Sequence, residues 1–420
     1  MTISTNTLRT PGLRFPEFED EPAWPLLPGN VLFEPINERK SDPGLPVLAI
    51  TQEHGAIPRH LIDYHVSVTA ESVATYKEVR EGDFIISLRS FQGGIEFSRY
   101  HGICSPAYII LRRKTAGCDD FFRHLFKSER FIRQLTRNIE GVRDGKMISF
   151  AQFSRLRIPS PGVEEQQRVA DCLSSLEDLL TAERTRLKAL QRHKSGLMDG
   201  LFARPDEAFP ALRFPAFEAG PGWVTGQCRD IAQIISGYGF PDKHQGSQAG
   251  EYPFYKVSDI SRAISTGSRF ISEARNYIGD DVLKAIRAKL APPGTIIFAK
   301  IGEAIRSNRR VVTTRPAVID NNTAGVKALD GVVLDAFLFY LWSNVELMKH
   351  AGGVVPAVTK STLEAVPVCY PADLAEQQLI VDCLSELDLL LSAQMSRISA
   401  LEAHRDGLLQ RLFPDAADEL

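Results

Sequence analysis

Nowhere does the 420-residue chain approach the ~18 uninterrupted apolar residues of a membrane span. Its start, Met1 to Pro11, is polar and lacks the apolar stretch of a secretory signal. A cytoplasmic protein with no membrane partner is expected. Cysteine is scarce: Cys104, Cys118, Cys172, Cys228, Cys369 and Cys383 form no C-x-x-C pair, and no histidine cluster stands at ligand spacing. Neither a zinc site nor a disulfide frame is expected, and reduced, mostly buried thiols are the simpler reading.

The loops of cofactor-dependent enzymes are missing as well. Gly237-Tyr238-Gly239 lacks the third glycine of an adenosylmethionine-type loop. Pro292-Pro293-Gly294 lacks the acid or amide before it and the aromatic after it that a base methyltransferase uses. Gly141 to Met147 is one residue short of a P-loop and ends in Met instead of Ser or Thr. Pro241-Asp242-Lys243 hints at a nuclease motif that no later acidic-x-Lys strand completes, and no Ser/His/Asp arrangement exceeds chance. The expectation is no catalytic residue, no metal and no cofactor on this chain.

Apolar residues make up 44% and charged residues 24%, the balance of an ordinary globular protein long enough for two or three domains. A net charge of −3 argues against nucleic acid until it is divided along the chain. Residues 24–157 carry 19 Lys/Arg against 15 Asp/Glu, and residues 223–368 carry 17 against 13. Residues 369–420 carry 3 against 10, so the acidity sits in the tail and both large segments are mildly basic.

The chain is written twice. Leu13-Arg14-Phe15-Pro16-Glu17-Phe18-Glu19 recurs as Leu212-Arg213-Phe214-Pro215-Ala216-Phe217-Glu218, and Trp24 recurs as Trp223, at an offset of 199. Glu165-Gln166-Gln167 recurs as Glu376-Gln377-Gln378, now offset by 211. The same 211 relates Asp171-Cys172-Leu173 to Asp382-Cys383-Leu384, His193 to His404, Gly196 to Gly407 and Leu201-Phe202 to Leu412-Phe413. Between the matched blocks the halves diverge, which is the pattern of a fixed frame carrying two different inserts.

The second matched block of each half reads as a long helix. A 4–3 step from Val169 visits Leu173, Leu176, Leu180, Glu183, Leu187, Leu190, Lys194, Leu197 and Leu201. The second copy visits Ile380, Leu384, Leu387, Leu391, Gln394, Ile398, Leu401, Arg405, Leu408 and Leu412, with polar exceptions at the same two steps. Pro161 and Pro371 precede the helices, and Glu164, Glu165 and Glu376 suit their first turns. Each would run ~40 residues, or ~60 Å. Two such seams are most simply buried against each other as an antiparallel pair, and the chain termini should then lie close together.

The inserts have a mixed α/β pattern. Strands are expected at 47–50, 82–88, 254–257 and 294–299, helices at 121–135 and 334–348, and glycine-containing loops at 141–145 and 352–353. Polar and basic residues cluster on loops beside the strand ends. In the first insert these are Gln52, His54, Arg89, Ser90, Gln92, Arg99, Tyr100, Arg143 and Lys146. In the second they are Lys256, Ser258, Asp259, Lys300, Glu303, Arg306, Asn308, Arg309, Arg310, Asn321, Asn322 and Lys360. Arg and Lys pair with guanine, and Asn and Gln with adenine, while flanking cations neutralise phosphates. Any single one of them reads equally well as a solvated loop residue; two sets in corresponding positions point to DNA binding.

These blocks in this order resemble the specificity (S) subunit of type I restriction–modification systems, from Leu13 to Phe413. The likeness rests on the Leu-Arg-Phe-Pro-x-Phe-Glu block before a Trp, Phe254-Tyr255-Lys256-Val257-Ser258-Asp259-Ile260, Gly294 to Ile305, and Ile158-Pro159-x-Pro161 leading to Glu165-Gln166-Gln167. The first insert has Val47-Leu48-Ala49-Ile50-Thr51 where the second has the Lys-Val-Ser-Asp-Ile form, so the two should read different sequences. Val366-Pro367-Val368-Cys369-Tyr370-Pro371 is a looser lead-in to the second helix.

The resemblance implies two α/β (α+β) target-recognition domains separated by two long antiparallel coiled-coil helices in a pseudo-twofold repeat. It divides the chain into 1–158 and 204–368, each with one recognition domain, and 159–203 and 369–420, the helices. It implies double-stranded DNA, two methyltransferase subunits and, through the complex, restriction subunits as partners. S-adenosylmethionine, ATP and Mg²⁺ are expected on those subunits. Two other readings stand beside it: an enzyme with scattered catalytic residues, which the purified chain would betray by acting alone on DNA, and a coiled-coil scaffold or toxin–antitoxin-like partner that never touches DNA and so reads no sequence of its own, which salt-dependent DNA binding by the complex would exclude.

Overall fold

In the computed structural model, residues 8–39, 44–62, 73–88, 90–137, 148–248 and 250–414 are described. The chain forms two compact units, one of residues 1–182 with 398–420 and the other of 183–397. Each contains an insert domain and a piece of each of two 39-residue helices, Val163–Leu201 and Leu374–Leu412. At 1.5 Å per residue each helix is about 58 Å long. None of the 4–3 positions from Val169 to Leu201 or from Ile380 to Leu412 is exposed.

In the first unit an antiparallel four-stranded sheet runs in the order Phe33–Ile36, Ile109–Arg113, Phe84–Ile86, Glu96–Phe97. In the second, five strands run in the order Ala232–Ser236, Thr323–Ala328, Ile296–Ala299, Arg310–Thr313, Phe270–Ile271. Shorter strand pairs accompany each sheet, among them antiparallel Leu48–Thr51 with Gly55–Pro58, and parallel Tyr252–Tyr255 with Val318–Ile319. The fully buried runs Phe84-Ile85-Ile86 and Ile296-Ile297-Phe298 explain why these segments read as strands at all.

Three expected elements differ in detail. The helix expected at 121–135 is two, Asp119–Lys127 and Glu129–Arg137, because Ser128 leaves the helical region and its hydroxyl donates to the carbonyl of Leu125 at 2.7 Å. The helix expected at 334–348 ends at Ser343 and resumes as a tight turn at Leu347–His350. The strand expected at 254–257 ends at Tyr255, since Val257 opens a helix to Ser265 whose first turn is closed by the Asp259 carboxylate accepting from the Lys256 N–H at 2.9 Å. The loop expected at 141–145 lies outside the described residues.

The repeated motifs turn out to be clamps between insert and helix. Arg14 grips Glu165 with two N–H donors at 2.7 and 2.8 Å and donates to the Glu21 and Pro22 carbonyls. Arg213 repeats this on Glu376, both bonds at 2.8 Å, and on the Gly220 and Pro221 carbonyls. Gln166 accepts from the Cys118 N–H and donates to the Pro161 carbonyl, while Gln377 accepts from the Leu334 N–H and donates to the Pro371 carbonyl. Each glutamine thus fixes a long helix's start to the insert helix beside it.

The Leu-Arg-Phe-Pro block also caps helix ends. The Leu13 N–H donates to the Arg411 carbonyl at 2.9 Å, which puts this block against the end of the second long helix. The Leu212 N–H does the same to the Gly200 carbonyl at 2.8 Å. Phe413 packs on Phe121 at 5.4 Å in one unit, and Phe202 on Phe337 at 5.4 Å in the other. In the first unit Val169 and Leu173, near the start of the first long helix, share a core with Leu412, at the end of the second. In the second unit Leu201 shares a core with Ile380 and Leu384.

Three of the four polar seam residues, Glu183, Lys194 and Gln394, find partners within the second unit. Gln394 donates to the Glu183 carboxylate at 2.6 Å and to its carbonyl at 3.0 Å, and both side chains are buried. Lys194 pairs with Asp388 and lies 5.5 Å from the Tyr340 ring centroid. Such hydrogen-bonded polar steps fix the register of a helix pair at some cost in stability.

Candidate nucleic-acid interface

Backbone hydrogen bonds gather the strand ends of the second unit into one ridge. The strand Ile296–Ala299 runs into Lys300, whose N–H donates to the Asn322 carbonyl and whose carbonyl accepts from the Val358 N–H, each at 2.9 Å. The Asn321 N–H donates to the Tyr238 carbonyl at 2.9 Å, and the Asp320 N–H to that of Tyr255, also at 2.9 Å. A Cβ on Gly237 would lie 1.9 Å from the Asp320 carbonyl oxygen, so only glycine permits this approach. Lys256, Lys300, Asn321, Asn322 and, two residues beyond Val358, Lys360 are therefore neighbours along one edge.

The ammonium of Lys256 sits 5.2 Å from the Phe240 ring centroid and donates to Gln245 at 2.7 Å. Phe240 stacks on Phe254 at 3.9 Å, holding that cation on an aromatic platform. Ser258, Glu303, Arg306, Arg309 and Lys360 are exposed. Arg306 pairs with Glu303 at 3.0 Å, Lys360 with Glu364 at 3.6 Å, and Arg309 donates to the Ser261 hydroxyl at 3.1 Å. Exposed pairs of this kind contribute little and are readily exchanged for a phosphate.

Four expected residues are corrected to structural roles. Arg310 is buried, its guanidinium spent on the Asn308 and Val345 carbonyls and the Asn308 amide oxygen. Asn308 holds a left-handed turn at φ 50° and donates to the Val345 carbonyl at 3.1 Å, so it braces the loop under the ridge. Asp259 is buried, accepting from the Lys256 and Arg275 N–H groups. Ser90 is buried in the first unit, its hydroxyl accepting from the Ser87 N–H at 2.8 Å. In sequence, polar side chains on loops resemble base readers; each of these four is instead consumed by the backbone nearby.

In the first unit Gln52 and His54 occupy the exposed turn of the hairpin Leu48–Thr51/Gly55–Pro58. Lys127 ties that turn to the helix Ser90–Gly93, donating to the carbonyls of Gln52 at 3.4 Å and Gly93 at 2.9 Å and to Glu96 at 2.6 Å. Exposed Gln92 therefore stands beside Gln52 and His54. Arg99 and Tyr100 do not join them. The strands Phe84–Ile86 and Glu96–Phe97 are antiparallel, so residues after Phe97 fall at the opposite end of the sheet, where Arg99 faces Asp120 at 3.8 Å. Arg89, Arg143 and Lys146 lie outside the described residues.

Tyr238, Phe240 and Gln245 escaped the sequence reading although they support the second ridge. The signal was there in Gly237-Tyr238-Gly239-Phe240, where glycines alternate with aromatics. Among the described residues, no three His, Cys, Asp or Glu are placed to hold a metal ion, and no helix is long and apolar enough to cross a membrane.

Donors of this type on a ridge match base edges and phosphates, and known proteins point the same way. The profile of the type I restriction modification DNA specificity domain matches residues 34–192 and again 221–403. The type I restriction enzyme MjaIX specificity subunit of Methanocaldococcus jannaschii is 22% identical over 375 residues, 84% of each chain. The solved S subunit of a type I restriction–modification system from M. genitalium superposes with a TM-score of 0.55 at 15% identity, over 97% of this chain and 100% of that one. A chain solved in work on the assembly and conformational transition of a type I R-M system reaches a TM-score of 0.59 at 20% identity, over 94% and 98%.

Proposed function

Because the chain belongs to the type I restriction modification DNA specificity family and carries its domain twice, we propose that each copy reads one half of a bipartite, asymmetric DNA site. The two long helices act as an antiparallel coiled-coil spacer and as the docking surface for two methyltransferase subunits, with restriction subunits joining through the complex. The chain contributes no catalysis. S-adenosylmethionine, ATP and Mg²⁺ are bound by the partners, and double-stranded DNA is the ligand of this one. The segments 1–158 and 204–368 each supply one reading domain, joined by the helical segments 159–203 and 369–420.

One observation carries this reading. The same clamps, Arg14 on Glu165 and Arg213 on Glu376, hold two inserts whose exposed loops share no sequence. A frame duplicated so strictly around dissimilar ridges suits recognition of two dissimilar half-sites at a fixed interval. If both readers meet one side of the duplex, half-sites lie about one helical turn, ~34 Å, apart.

Inserting one heptad into both helices tests the spacer. With the partner methyltransferase present, sequencing of methylated DNA should show a longer gap and two unchanged half-sites. An unchanged gap would sink the spacer.

A further inference from the structure

Two adjacent exposed valines, one of them the most exposed large apolar side chain among the described residues, stand next to the second ridge. Val354 is 104% exposed and Val355 62%. They form the tip of a turn closed by reciprocal backbone bonds between Gly352 and Ala357, at 3.0 and 3.1 Å. Gly353 supplies the left-handed φ of 92° that the turn needs. The turn is braced from beneath: the Gly302 N–H donates to the Pro356 carbonyl at 2.7 Å, and buried Val358 donates to Lys300. Two branched apolar side chains are thus held in solvent on a stiff support, against the drive to bury them.

The surroundings indicate what covers them. Lys300 lies directly below, and exposed Lys349, Arg306 and Lys360 flank the tip, their acidic partners Glu346, Glu303 and Glu364 on the same short helical turns. Apolar side chains rimmed by exchangeable cations, continuous with a ridge of base-reading donors, fit a wedge that presses between stacked base pairs while the cations hold the phosphates. We propose that Val354 and Val355 enter the duplex at the half-site read by the second domain, unstack one base step there, and so add sequence preference through the ease of distorting that step. The proposal rests on the second domain being a DNA reader.

The test uses the complex with the methyltransferase and a duplex whose site comes from sequencing its methylated DNA. The half-site of the second domain is the one that changes when residues 223–368 are exchanged. With 2-aminopurine placed at successive positions of that half-site, the wild-type complex should raise fluorescence at one step. The double substitution Val354→Ser, Val355→Ser should abolish the rise and weaken cognate binding about tenfold, the size of one mismatched pair. Binding to unrelated duplex should not change, and the variant should assemble and melt as the wild type does. Full affinity with the fluorescence rise intact would overturn the wedge. Loss of methyltransferase assembly would overturn it too, by marking the tip as a protein contact. Failure of the wild-type complex to prefer any half-site would instead sink the reading domain itself.

Discussion

Replacing Glu376 with Gln removes one charge and almost no volume from the clamp of the second unit. The ion pair is enclosed, with side chains 8% exposed at Arg213 and 2% at Glu376. Glu376 also accepts from the Trp223 indole N–H at 3.0 Å. Removing one partner of a buried pair leaves an uncompensated charge and costs about 3–5 kcal/mol. The Gln oxygen can still take one of the three donors, so the lower end applies. For a unit of roughly 200 residues, ~3 kcal/mol lowers Tm by about 6–12 °C. Trp223 and Trp342 report the second unit and Trp24 the first, so far-UV and fluorescence melts of single-Trp variants separate the two. E376Q should shift only the Trp223 transition, and E165Q only the Trp24 transition. Replacing both partners, Arg213→Met with Glu376→Gln, should restore much of the loss, because the unpaired cation is gone while the amide oxygen still accepts from the Trp223 indole N–H. A shift under 2 °C for E376Q, or a double variant no better than the single, would refute the buried clamp.

Two further outcomes follow from the first unit and from the ridge. Burial lowers the pKa of His124 to about 4, with Arg123 adding to the effect, and the ring bonds to the Ser174 hydroxyl at 3.1 Å. The unfolded chain takes up this proton near pH 6.5 and the folded one near 4, so stability is full above 6.5 and declines as pH falls between those values, by roughly 2–4 kcal/mol in all. Urea titrations from pH 7 to 4 should show the decline, and H124Q should flatten it; a parallel decline in H124Q would dismiss His124 as its source. Lys300→Ala should lower DNA affinity and reduce the salt slope of binding by about 1, whereas Arg310→Ala should lower Tm with its salt slope unchanged. Reversed behaviour of the pair would mean that the ridge has been misassigned.

Much of the frame was legible because its signals are periodic or repeated. The 4–3 step through Leu173, Leu180, Leu384 and Ile398 depends only on side-chain polarity, and a period survives without knowledge of partners. The clamps were half legible. Arg14 and Glu165 were both visible as repeated residues, but 151 positions separate them, and nothing local links a cation to its carboxylate at that range. The ridge was the least legible part. Whether an arginine on a loop meets a phosphate or a carbonyl depends on which other loop is folded beneath it: Arg309 and Arg310 are neighbours in sequence, yet one is exposed and the other spent on Val345 and Asn308. Arg99 and Tyr100 went to the far end of their sheet for a similar reason, since strand direction and not loop polarity decides the end on which a residue emerges. Val354 and Val355 looked like ordinary apolar residues beside two glycines, and only the brace on Lys300 and Gly302 sets them apart.

Exchange of residues 24–157 for the corresponding insert of another family member tests the division of labour most directly. With Arg14, Glu165 and Gln166 left in place, sequencing of methylated DNA from cells carrying the hybrid and its methyltransferase should show one half-site replaced, and the other half-site and the gap retained. A hybrid that assembles and methylates but changes both half-sites, or neither, would contradict two independent readers on a common frame.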